Sequence, residues 1–203
     1  MNHRNMIHLN GNLLCAIDTE TTGLTAGYHD LIEIAIIPLN SELEPVPDII
    51  PFNLMLKPKR PENADPEAVN KQGRTLADII LRGMEPWRAV DLFDEWFQRL
   101  GLAPGKKISP LAHNWPFDRS FIQDWLDKAT FEQFIDGRFR DSMAAGLFLN
   151  DLADLHQEPY PFHKLTLGSL AAKFSLPFEK AHTALEDALM CAQIYKRMLY
   201  SAR

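Results

Sequence analysis

The chain has 203 residues, 46% of them hydrophobic and 24% charged, with a formal net charge of −6. This is the composition of a globular protein large enough to bury a core without a disulfide framework or a structural metal, and apolar residues recur too regularly for a disordered chain. No apolar run approaches the roughly 20 residues of a membrane span, residues 1–12 lack the apolar core of a signal peptide, and Cys15 and Cys191 both lie in apolar runs, so the expectation is a cytoplasmic protein with no membrane association.

The first element expected is a short buried strand at Leu13–Ile17, followed directly by Asp18-Thr19-Glu20. A second strand is expected over Leu31–Leu39 and a third over Phe52–Leu56. Asp65-Pro66-Glu67 is a helix start, with an acidic N-cap, proline at the first helical position and an acid in the first turn. Trp87, Val90, Phe93, Trp96, Phe97 and Leu100 recur at helical spacing before a terminating Gly101, and read as a core face rather than a partner-binding stripe. Ile108–Ala112 reads as a strand that Pro110 would place at an edge or kink. Pro116 opens a helix with Phe121, Ile122, Trp125 and Leu126 on its apolar side. Further helices are expected over Met143–Leu152, Thr166–Phe174 and Ala184–Tyr200. Strands early and alternating helices later give an α/β fold on a mixed sheet. The chain reads as one domain over 1–203, with its core over about 13–200 and residues 1–12 as a short N-terminal extension.

Three polar constellations stand out. Side chains alternate across a strand, so Asp18 and Glu20 point to one side with Cα atoms ~7 Å apart, close enough to share or bracket cations. Asp118 falls in the first turn of the helix opened by Pro116, where a helix dipole alone would favour an acid. Thr183 and Glu186 form a capping-box pattern, which puts His182 just outside the last helix and Asp187 one turn inside it. Each has an ordinary structural explanation by itself. His156 and His163, seven residues apart with no cysteine nearby, do not have the spacing of a zinc site.

Taken together and in order, D-x-E after a strand, F-D opening a helix and H-x4-D opening a later helix resemble the DnaQ-like exonuclease family, in its DEDDh subgroup. The similarity spans roughly residues 13–196: Asp18–Leu24 resembles the first motif, Leu31–Ala35 the second strand, Ala112-His113-Asn114 with Phe117-Asp118 the second motif, and Arg140-Asp141-Ser142 the lead into the following helix. Thr183, four residues before Asp187, argues against the tyrosine-containing subgroup. Departures are Gln72 and Arg74, on either side of Gly73 near the nucleotide pocket, and the bulky Trp115-Pro116 pair after Asn114.

The resemblance implies a ribonuclease-H-like fold, a mixed five-stranded sheet flanked by helices with the first strand central. It implies a metal-dependent 3′–5′ exonuclease that hydrolyses phosphodiester bonds at single-stranded 3′ ends, DNA before RNA, and releases nucleoside 5′-monophosphates. Asp18, Glu20, Asp118 and Asp187 would hold two divalent ions, Mg²⁺ or Mn²⁺, as hard oxygen ligands favour. In this scheme Asp18 bridges both ions, Glu20 and Asp187 hold the nucleophile-side ion, Asp118 holds the other mainly through water, and His182 is the general base. Thr21, Thr22, Leu24, Asn114 and Phe117 would hold the 3′-terminal nucleotide. Glu33 and Asp141 read as supporting groups rather than ligands. Positions 57–88 carry two more basic than acidic residues, and Lys57, Lys59, Arg60 and Arg74 are candidates to track upstream phosphates. A non-catalytic nucleic-acid-binding or regulatory subunit on the same fold is the alternative, with a homodimer or a polymerase or repair protein as partner.

Overall fold

A computed structural model describes residues 11–71, 73–177 and 183–201. Gln72, His182 and residues 1–10 of the expected N-terminal extension lie outside the described residues.

The strands are β1 (Leu13–Thr21), β2 (Leu31–Pro38), β3 (Phe52–Met55), β4 (Ile108–Ala112) and β5 (Arg140–Asp141). They form one sheet in the order β3-β2-β1-β4-β5. β1 is antiparallel to β2 and parallel to β4, β2 is antiparallel to β3, and β4 is parallel to β5. This is the expected mixed five-stranded sheet with β1 central.

Two differences from the expectation matter for the site. β1 continues through Asp18-Thr19-Glu20 to Thr21, because its ladder with β2 persists to a register shift between Glu20 and Thr21. The Asp and Glu are thus rigid strand positions, as the alternation that puts them on one side requires. Pro110 lies in an interior strand rather than at an edge. The Ile108 carbonyl accepts from the Asp136 N–H on the β5 side, and Pro110, two residues on, turns its hydrogen-less nitrogen to that same side. Pairing with β5 begins only at Leu111, so no ladder bond is lost.

The helices are α1 (Pro66–Lys71), α2 (Leu76–Arg82), α3 (Pro86–Arg99), α4 (Trp115–Leu126), α5 (Lys128–Phe134), α6 (Ser142–Leu155), α7 (Leu167–Lys173) and α8 (Ala184–Ser201). The alternation along β1 assigns its two faces. Leu13, Cys15 and Ile17 join a core with Phe93, Trp96, Phe121, Trp125 and Phe131 from α3, α4 and α5. Leu14 and Ala16 join a second core with Ala184, Ala188 and Cys191 of α8. Trp87, expected on the buried stripe of α3, is 68% exposed, and the buried positions of that helix are Ala89, Phe93 and Trp96. Among the described residues no helix is long and apolar enough to cross a membrane.

Candidate active site

Asp18 and Glu20 have the parity of Leu14 and Ala16, so they face α8. The N-terminus of α8 brings Asp187 to the same place. Its start is fixed by the N-cap half of the capping box: Thr183 Oγ1 accepts from the Glu186 N–H at 3.3 Å, while the Glu186 carboxylate accepts from the Thr183 hydroxyl at 3.0 Å rather than from its backbone, and the Asp187 N–H closes the first turn on the Thr183 carbonyl. Carboxylate oxygens of Asp18, Glu20 and Asp187 lie within 4.8 Å of one another, and all three residues are half-buried.

Asp118 stands outside this trio. It is buried in the first turn of α4, on the other side of the sheet, and accepts a 2.7 Å hydrogen bond from Thr19 Oγ1. Its charge nevertheless reaches Asp18, where it is the largest charge contribution. α4 begins unusually: Asn114, at its N-cap, has φ 67° and makes no side-chain cap. The cap comes from Asp141, whose carboxylate accepts from the N–H groups of Asn114 and Trp115 on α4 and of Met143 and Ala144 on α6. One buried carboxylate therefore fastens both helix starts to the end of β5.

The electrostatics are those of buried carboxylates crowded together, with their mutual repulsion only partly offset by Arg74. Burial, then the charges of Asp118, Glu20 and Asp187, push Asp18 well above the usual carboxylate range. Burial first, with Asp187 and Glu33 adding to it and Arg74 opposing, raises Glu20 to about 8. Burial raises Asp118 to about 7 against the pull of the Thr19 hydrogen bond. Carboxylates so placed favour bound protons or a cation, and an all-oxygen donor set suits Mg²⁺ or Mn²⁺.

Beside the trio, residues 22–30 form a pinned loop. Thr22, fully buried, accepts from the Asp30 N–H at 2.8 Å, and Thr21 Oγ1 donates to the Gly23 carbonyl at 2.6 Å. The hydroxyls of Thr21 and Thr22 thus hold the loop's own shape. A Cβ at Gly23 would stand 2.2 Å from the His29 ring, so a side chain there would displace that ring from its hydrogen bond with the Thr25 N–H. Leu24 projects from the loop, 81% exposed. Asn114 is exposed, while Phe117 is half-buried against the aromatic core, its ring 5.0 Å from Phe121.

The four basic residues expected to track phosphates all have partners within the chain. Arg60 pairs with buried Asp30 and with Asp124 of α4 and donates to the Gly27 carbonyl, clamping the loop that carries Leu24. Lys57 pairs with Glu85, Lys59 donates to the Asp124 carbonyl, and Arg74 pairs with Glu33. The clamp of Arg60 and the double cap of Asp141 are long-range contacts that nothing in local spacing announces.

A mixed sheet with an acidic trio at the end of its central strand is the architecture of ribonuclease-H-like nucleases. The chain belongs to the exonuclease family RNase_T, whose model matches residues 15–195, and is DnaQ-like. It is 30% identical over 192 residues to the PolC-type DNA polymerase III of Listeria welshimeri, an alignment that covers 93% of this chain but only 11% of that protein. It is 26% identical over 187 residues to the DNA polymerase III subunit epsilon of Treponema pallidum, covering 91% of this chain and 75% of the relative. Among solved structures, the nuclease domain of 3′hExo, a DEDDh family member bound to rAMP, superposes with a TM-score of 0.67 at 17% identity, covering 94% of this chain and 92% of that one.

Proposed function

We propose that this chain is a metal-dependent 3′–5′ exonuclease acting on free single-stranded ends, DNA before RNA, and releasing nucleoside 5′-monophosphates. The observation that carries the reading is the convergence of Asp18, Glu20 and Asp187 within 4.8 Å, with Asp118 adjacent, in a chain of the exonuclease family. Asp18, Glu20, Asp118 and Asp187 would hold two divalent ions, Mg²⁺ or Mn²⁺. Bound there, such ions supply an activated water and neutralise charge on the phosphate and leaving group.

The chain's own groups do the rest. Leu24 offers an exposed apolar surface for the terminal base, a contact that tolerates any sequence. Phe117 and Asn114, at the start of α4, would complete that contact, with Thr21 and Thr22 shaping the loop that carries Leu24. His182, one residue before the Thr183 cap, would accept the proton of the attacking water, a role suited to an imidazole at neutral pH. The preference for DNA and the involvement of a polymerase partner rest on the polymerase III relatives; the rAMP bound to 3′hExo makes RNA the first competitor to test. The non-catalytic alternative is not favoured, since the four carboxylates of the motif are all present.

The test is cleavage of 5′-labelled single-stranded DNA and RNA of equal sequence, alongside a circular single strand. The expected result is a ladder shortening from the 3′ end in Mg²⁺ or Mn²⁺, with the circle intact and Asp18→Asn inactive. Cleavage of the circle, or undiminished activity in Asp18→Asn, would overturn the reading.

A further inference from the structure

Arg74 is a departure from the resemblance, and the structure gives it a place beside the carboxylate cluster. Its Nη1 lies 2.5 Å from Glu33 Oε2, with the Glu33 side chain 5% exposed and that of Arg74 29% exposed. Glu33 sits in β2 directly across the antiparallel ladder from Glu20. Opposed residues of such a pair place their Cβ atoms about 4.5–5.5 Å apart on one face, and like charges there repel. Glu186, on α8, adds further negative charge at Glu33. Arg74 opposes this field at both Glu33 and Glu20.

The guanidinium is delivered by fixed backbone. Thr75, the next residue, caps α2 by accepting from the Asp78 N–H, and Ile79 of that helix packs on Ile32 of β2. The cation is thus anchored to the same strand as its partner, one ladder rung from a carboxylate of the trio.

We propose that Arg74, paired with Glu33, is the resident cation of the carboxylate cluster and sets how tightly the adjacent site binds a divalent ion. This rests on the metal-site reading above. A fixed positive charge near the site disfavours the incoming cation, and Glu33 in turn fixes that charge and partly cancels it. Removing Arg74 leaves an additional uncancelled carboxylate facing the ion, while removing the charge of Glu33 leaves the guanidinium uncancelled.

The experiment is Mn²⁺ binding followed by electron paramagnetic resonance, without substrate, on wild type, Asp18→Asn and four variants. Arg74→Gln is expected to bind Mn²⁺ roughly tenfold tighter than wild type, as one charge removed at this range in a solvent-accessible site implies. Glu33→Gln should bind more weakly, Arg74→Lys should stay near wild type, and the Arg74→Gln/Glu33→Gln double variant should return toward it. Unchanged or weaker binding by folded Arg74→Gln overturns the proposal. If Arg74→Gln does not fold, Glu33→Gln decides, and unchanged or tighter binding there overturns it. Wild-type protein with no saturable binding lost in Asp18→Asn would instead overturn the metal reading, and this inference with it.

Discussion

Thr19 donates a 2.7 Å hydrogen bond to Asp118, and so joins the two faces of the sheet at the candidate active site. Asp18 and Glu20 face α8; Thr19, between them, faces α4 and meets the carboxylate in that helix's first turn. Thr19→Val keeps the shape and removes the donor. The expected result is a roughly tenfold loss in kcat, equivalent to about 1.4 kcal/mol, with KM nearly unchanged. Steady-state kinetics on a single-stranded oligonucleotide checks this, and a wild-type kcat would show that the bond does not position Asp118 for catalysis.

Asp141 accepts four backbone N–H bonds from the starts of α4 and α6. Asp141→Ala leaves those donors without their acceptor at two helix starts. Loss of two caps costs about 2–3 kcal/mol, a fall in Tm of about 5–10 °C for a domain of this size. Asp141→Asn, which keeps one acceptor oxygen, should fall between. Thermal unfolding followed by circular dichroism decides, and an unchanged Tm in the alanine variant would refute the double cap.

The raised carboxylates set a direction for stability against pH. Glu20 moves from 4.5 to about 8 and Asp118 from 3.8 to about 7, so the metal-free fold holds protons that the unfolded chain has already released. Where the native state binds more protons, stability falls as pH rises. In chelator, Tm should therefore decline from about pH 4–5 to about pH 8 on account of these groups. Mg²⁺ competes with the same protons, so its stabilising shift should grow across that window. Paired melts in chelator and in Mg²⁺ test this; a Mg²⁺ shift that shrinks with rising pH would contradict it.

Leu24 is 81% exposed at the tip of a loop clamped by Arg60, and contributes little to the core. Leu24→Ala should leave Tm within about 1 °C, since exposed substitutions are near neutral. If Leu24 packs on the terminal base, KM should rise by roughly tenfold, within the range for one base contact. A KM unchanged within twofold would remove Leu24 from the nucleotide site.

Much of the framework was legible in local pattern, because strands and caps are local physics. The apolar runs of β1, β2 and β4, the Pro116 start of α4 and the Thr183–Glu186 box are each written within a few residues. α2 and α5 are seven residues each and were not expected, although Thr75 and Asp78 at the start of α2 offered a cap signal. α5 had less to show: its N-cap, Asp127, sits at φ 61°, where a glycine would have marked the turn. β5 is two residues long and exists only because β4 is there to pair with it.

The sequence by itself determined where the candidate side chains sit and which way they point, because alternation along a strand and the first turn of a helix fix direction locally. Only the tertiary structure decided how they meet. Asp18, Glu20 and Asp187 converge because α8 packs on one face of β1, whereas Asp118 arrives from the other face through Thr19. Likewise Arg74 became the partner of Glu33 and Arg60 that of Asp30, rather than free basic side chains. A buried carboxylate must find a counter-charge, hydrogen-bond donors or a proton wherever the chain brings them, and that distance in space has no counterpart in sequence spacing.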